Sequence, residues 1–128
     1  MKVYVDASIH AFGRMVMCHM FSPDIEALHL MADRIGVARK WFQDPRTMPK
    51  VSWPHYDISK SKRSMAVSLG AIECDKYQTV AMGAIIKNIF CGKNLEDPMK
   101  WVKAGNQFAA HVPLWLAEQG FPQWEYDL

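Results

Sequence analysis

Met15-Val16-Met17-Cys18-His19-Met20-Phe21-Ser22-Pro23-Asp24-Ile25-Glu26 decides the fold, because a strand pattern and a helix start meet inside it. The apolar run from Met15 to Phe21 reads as a strand with His19 near its end. Ser22 then offers a capping hydroxyl, Pro23 suits the first helical position, and Asp24 and Glu26 put acid in the first turn. Ile25, Leu28, Ala32 and Ile35 recur at helical spacing, and Gly36 closes the helix. His29 borders that stripe and is expected to be structural.

Working outward, Val3-Tyr4-Val5 alternates as a first strand ending at Asp6, and Val37 to Gln43 reads as a strand carrying Trp41 and Phe42. The segment 44–54 holds Pro45, Pro49 and Pro54 and reads as an exposed loop. A helix capped by Ser59 runs to Gly70 with Met65, Ala66 and Leu69 on its apolar side, and Ala71 to Cys74 is a further strand. This β-β-α-β-α-β order predicts an α/β fold: a small, three-layer-like domain with a short, largely parallel sheet. The remainder is helical. Asp75 caps a helix over 76–90, Asp97-Pro98 opens a short piece ending at Gly105, and Pro113 starts another that runs to Gln119. The expectation is one domain over 1–128, with an α/β core over 1–75 and a helical extension over 76–128.

Composition narrows the function. The 128 residues are half apolar and 22% charged, with a net charge of +2. That balance suits a globular domain and argues against a nucleic-acid partner. Cys18, Cys74 and Cys91 are odd in number and form no C-x-x-C pair, so a disulfide framework is not expected and a reducing, cytoplasmic setting is. No segment has the length of a membrane span or the apolar core of a signal peptide. Nine Met and five Trp suggest either an adaptable core or a self-association face, and the latter would make a homo-oligomer.

The chemistry is expected at Pro54-His55-Tyr56-Asp57-Ile58-Ser59-Lys60-Ser61-Lys62-Arg63. A helix N-terminus favours negative charge, yet Lys60, Lys62 and Arg63 crowd this one. An anion would reconcile them: Ser59 and the following N–H groups hold a phosphate, Lys62 and Arg63 neutralise it, and Tyr56 and His55 contact the rest of the ligand. Asp6, His19, His55 and Asp57 lie near strand ends, where α/β sheets bind ligands, and could meet as an acid–base group or around a metal. No H-E-x-x-H or comparable spacing is present, so no metal and no cofactor is expected. His55, His19 and Asp6 are the catalytic candidates if the protein is an enzyme. The cysteines lack an activating pattern, and no Walker, G-x-G-x-x-G or G-x-S-x-G motif occurs.

Val3-Tyr4-Val5-Asp6, His19, Leu28-His29, Ile35-Gly36, Trp41-Phe42-Gln43, His55-Tyr56-Asp57, Lys62-Arg63 and Gly70-Ala71, in this order, resemble an uncharacterised bacterial and phage family, domain of unknown function four-zero-three-one. The resemblance covers roughly residues 2–75. Ala7 stands where the family usually has a second acid after the residue matching Asp6, which counts against a paired-carboxylate site. The resemblance implies an α/β domain with a polar cluster and supplies no reaction. It associates the chain with phages.

The function expected is binding of a phosphorylated small molecule, a nucleotide or a derivative of one, as in a phage protein that sequesters a defence signal. The alternative is a nucleotide-processing hydrolase or phosphoesterase using histidine acid–base chemistry. A third reading is a protein-interaction module that uses Trp115 and Trp124 on the helical half.

Overall fold

Alternation along β3 (Met15–Phe21) organises the molecule: Cys18 and Met20 face one side of a sheet, His19 and Phe21 the other. The computed structural model describes residues 2–7, 10–12, 15–93, 97–101 and 107–122. Besides β3 the sheet contains β1 (Tyr4–Asp6), β2 (His10–Phe12), β4 (Tyr56–Ser59) and β5 (Ile72–Cys74). The helices are α1 (Ile25–Arg34), α2 (Lys60–Ser68), α3 (Lys76–Phe90) and α4 (Val112–Glu118).

The α/β class holds, but the sheet is mostly antiparallel. β3 pairs antiparallel with β1, β2 and β4, and only β1 and β5 run parallel. Two strands absent from the sequence reading account for the difference. β2 precedes β3 by a two-residue connection, which can join only antiparallel neighbours. β4 occupies the His55 segment and takes the seat beside β3. The strand expected over 37–43 is instead a 3₁₀ turn, Arg39–Trp41, followed by an isolated bridge between Gln43 and His55. Trp41 points into solvent at 63% exposure, so this stretch has no second face to bury.

Helix boundaries follow local chemistry. Asp24, rather than Ser22, caps α1 by accepting from Ala27 N–H; the Ser22 hydroxyl donates to the Lys2 carbonyl and accepts from Asp24 N–H. Gly36 ends α1 with φ +77°, a conformation that costs glycine little. Ser59 caps α2 as expected, yet of that helix's expected apolar stripe Ala66 is buried while Met65 and Leu69 are exposed. Asp75 and Gln78 form a reciprocal capping box at the start of α3.

Each face of the sheet carries its own core. Val3, Val5, Cys18, Met20, Tyr56 and Ile58 pack against α1 and α2. Tyr4, Phe21 and Cys74 pack against Met82, Ile85 and Ile86 of α3 and Leu116 of α4. The Tyr4 hydroxyl donates to Gln119 Oε1 at 2.8 Å, tying the end of α4 to the first strand. Trp115 meets the Tyr4 ring edge-on in this second core, whereas Trp124 and Gly105 lie outside the described residues. Among the described residues no helix is long and apolar enough to cross a membrane.

Tyr56 is fully buried on the α1 side, where its hydroxyl shares a 2.6 Å hydrogen bond with His29 Nδ1. Burial pushes the Tyr56 phenol up to about 12. Burial and the Arg39 charge hold the His29 imidazole below its usual value, with Glu26 and Asp33 opposing them in part. An unfolded histidine takes its proton near pH 6.5, before the folded one does. Acid therefore favours the unfolded chain, and the contribution of His29, complete above pH ~6.5, is lost as the pH falls toward its depressed folded value. Melting curves from pH 8 to 5 should show a steeper acid-side loss for the native chain than for His29→Gln. Equal slopes would refute the assignment.

Candidate functional site

The register places three functional side chains in one row. His19 of β3 stands opposite Asp57 of β4, and continuing the β1–β3 register sets Asp6 beside His19 on the other edge. His55 precedes Asp57 by two residues and shares its face. The row lies on the α3 side of the sheet.

Asp6 is completely buried. Its carboxylate accepts the His19 backbone N–H at 2.9 Å through Oδ1 and meets His19 Nδ1 at 2.6 Å through Oδ2. His55 Nδ1 lies 2.8 Å from the Trp53 carbonyl, which can only accept, so Nδ1 carries the hydrogen. Both rings consequently turn Nε2 toward Asp57 Oδ1, at 3.7 Å from His19 and 3.5 Å from His55. Gln43 Nε2 donates to the other Asp57 oxygen.

These contacts set the protonation behaviour. Burial works against a charged His19, but the hydrogen bond and charge of Asp6, with the charge of Asp57, outweigh it and raise its pKa. Burial likewise opposes ionisation of Asp57, and His55, His19 and Gln43 together draw its pKa below the ordinary value. The Cys74 thiol behaves otherwise: burial pushes it up to about 12, with the Asp75 and Asp6 charges adding to the effect. Cys18 is also raised, chiefly by burial, so neither buried thiol is poised as a nucleophile.

Above the row opens a cleft of about 720 Å³. Asp6 and His19 reach its floor, and Trp53 forms one wall. The Trp53 ring stacks on His55 with centroids 4.6 Å apart and meets Phe21 edge-on at 5.1 Å. α3 forms another wall and meets the indole. There Gly83 makes room for the indole, since a Cβ at that position would lie 3.1 Å from Trp53 Cε3. Lys76, Lys87 and Lys93 also line the cleft. A smaller cleft of about 440 Å³, between α1 and Gly70, contains no histidine.

Of the residues expected from sequence, Asp6, His19 and His55 come together, with Asp57 among them. The other four serve elsewhere. Tyr56 is in the core on the opposite face. Ser59 caps α2 by accepting from Lys62 N–H at 3.3 Å, and the Lys62 ammonium lies beside Gly36. Arg63 braces the floor from below, donating through Nε to the Asp6 carbonyl at 2.8 Å and through a guanidinium N–H to Glu73 at 2.9 Å. Sequence reasoning passed over Gln43, Trp53 and the three lysines. One signal was available: Lys76, Val80, Gly83 and Lys87 are spaced 4, 3 and 4 apart, one face of a helix.

The family model described as a protein of unknown function, DUF4031, matches residues 3–85. The chain belongs to this family. No curated protein and no solved structure matches it. The DUF4031 match takes in Asp6, His19, His55 and Asp57 and ends within α3, before Lys87 and Lys93.

Proposed function

We propose that this DUF4031 protein binds a phosphorylated small molecule, a nucleotide or nucleotide derivative, in the cleft between the sheet and α3. One observation carries the reading: three lysines and an indole line the same opening above a histidine–carboxylate floor. Lysine ammonium groups attract phosphate oxygens, and the partly buried Trp53 ring gives the opening an apolar border. The cleft takes precedence over the α2 start because Arg63 is engaged by Asp6 and Glu73, and Tyr56 by His29.

The test is a thermal-shift screen of nucleotides against the native chain and a Lys87→Ala/Lys93→Ala variant. A ligand at 100 times its Kd adds about 2.7 kcal/mol, a rise of several degrees. Stabilisation of the native chain that the variant loses supports the reading. No shift with any nucleotide overturns it.

A second reading, hydrolysis of the bound phosphate ester, is favoured by the 2.6 Å Asp6–His19 contact in that cleft. A carboxylate holding one imidazole nitrogen orients the other for proton transfer. Recovering the ligand from denatured complex separates the two readings: a binding protein returns it intact, an enzyme returns product.

A further inference from the structure

We infer that His19 Nε2, His55 Nε2 and Asp57 Oδ1 form a binding site for a divalent transition metal ion of the zinc class. The three atoms lie within 4.8 Å of one another, and the carboxylate oxygen is 3.7 and 3.5 Å from the two nitrogens. Two donors bonded at about 2.0–2.1 Å to a tetrahedral ion stand about 3.3 Å apart. The two oxygen–nitrogen separations, 3.5 and 3.7 Å, are already close to that spacing, and the two imidazoles, held within 4.8 Å, draw together on an ion by side-chain rotation. Two imidazoles with one carboxylate suit zinc, manganese, iron or cobalt, whereas magnesium and calcium take oxygen donors.

The surroundings strengthen the case more than the distances do. Metal-binding histidines almost always give their second ring N–H to a carboxylate or carbonyl, which fixes the ring and its tautomer. Both histidines here do so, His19 toward Asp6 at 2.6 Å and His55 toward the Trp53 carbonyl at 2.8 Å. The carboxylate is oriented too, by Gln43 on its other oxygen. Each donor group thus has an orienting partner outside the set. The His19 side chain is 26% exposed and the Asp57 side chain 27%, whereas His55 is 8% exposed and the Asp57 Oδ1 atom itself is buried. With three protein donors, a fourth position is left for water or for an oxygen of a ligand in the cleft.

The missing H-E-x-x-H spacing does not bear on this arrangement. The donors come from β3, from β4 and from the residue just before β4, and partners across a ladder are distant in sequence. The inference does not depend on the phosphorylated ligand, and its test contains none.

The experiment titrates Zn2+ into chelator-treated full-length chain by calorimetry, and then measures X-ray absorption of the zinc-loaded native protein. One equivalent should bind, with a shell of nitrogen and oxygen at about 2.0–2.1 Å. His19→Ala and His55→Ala should each weaken uptake at least 100-fold, and Asp6→Asn 10- to 100-fold. His111→Ala, which alters an exposed histidine paired with Asp75, should leave it unchanged. Absence of stoichiometric uptake overturns the site. So does sulfur in the shell at about 2.3 Å, or uptake that survives both histidine variants. The absorption measurement needs no variant, so it decides the matter even if a substitution fails to fold.

Discussion

Phe21→Ala is expected to be the most damaging single truncation near the site, at about 3–5 kcal/mol. Phe21 is fully buried at the end of β3. It stacks on Tyr4 with centroids 5.8 Å apart at 18° and meets Trp53 edge-on at 5.1 Å. Truncation removes the buried ring and leaves a cavity between the sheet and α3, and it also deletes two aromatic pairs worth about 0.5–1.5 kcal/mol each beyond their area. The melting temperature should fall by roughly 10–20 °C. Near-UV circular dichroism should change with it, because Trp53 loses one of its supports. Leu28→Ala provides the comparison, since Leu28 is buried in the other core. That variant should lose about 2–5 kcal/mol yet leave the Trp53 signal of the folded protein intact. A loss below about 1 kcal/mol for Phe21→Ala would mean that the α3 side of the molecule repacks freely, contrary to the tight core described.

The second large effect concerns Asp6, where two substitutions should part company. Asp6→Ala leaves the His19 N–H and the His19 ring N–H without their acceptor, at about 1–3 kcal/mol for each buried donor. Asp6→Asn keeps the shape and one carbonyl oxygen for the backbone N–H. It then presents an amide N–H₂ to His19 Nδ1, and two donors cannot face each other. The ring should answer by moving its hydrogen to Nε2, the atom turned toward Asp57. The asparagine variant should therefore fold almost normally but carry the wrong tautomer at the floor of the cleft. Imidazole 15N NMR reads this directly: hydrogen on Nδ1 in the native chain, on Nε2 in Asp6→Asn. An unchanged tautomer would show that Asp6 does not orient the ring.

Much of the fold is written locally. The Asp75 and Gln78 box, the Ser59 cap and the glycine after α1 act over three or four residues, and they mark helices wherever the chain goes. Strand direction has no such mark. Whether β3 lies parallel or antiparallel to β1 is decided by a partner met only after folding. The short connection before Met15 was the clue, and β2 is too brief to stand out beside it. The gathering of Asp6, His19 and His55 was legible from their places at strand ends. Its cause is different from the one inferred, being a row across an antiparallel ladder rather than the carboxyl edge of a parallel sheet.

Tyr56 illustrates the sharpest limit. It lies between His55 and Asp57, and once the segment is a strand, one residue is the whole difference between cleft and core. Among the α2 cations, Arg63 has partners of its own that no local pattern announces. The Arg63 guanidinium reaches beneath β1 to the Asp6 carbonyl, far from it in sequence, and to Glu73. Lys76, Lys87 and Lys93 carry no local mark of a site, since the sheet they face is brought there only by folding.

The two sides of the cleft are also two separate pieces of chain. Its floor belongs to a hydrogen-bonded ladder completed by residue 59, whereas Lys87, Asn88 and Lys93 stand at the end of α3 and just past it. That end of the helix can be rewritten without disturbing any contact among Asp6, His19, His55 and Asp57. The floor is fixed by the strands and the far wall is not, so substitutions at Lys87, Asn88 and Lys93 should reshape the opening while the geometry beneath it stays as it is.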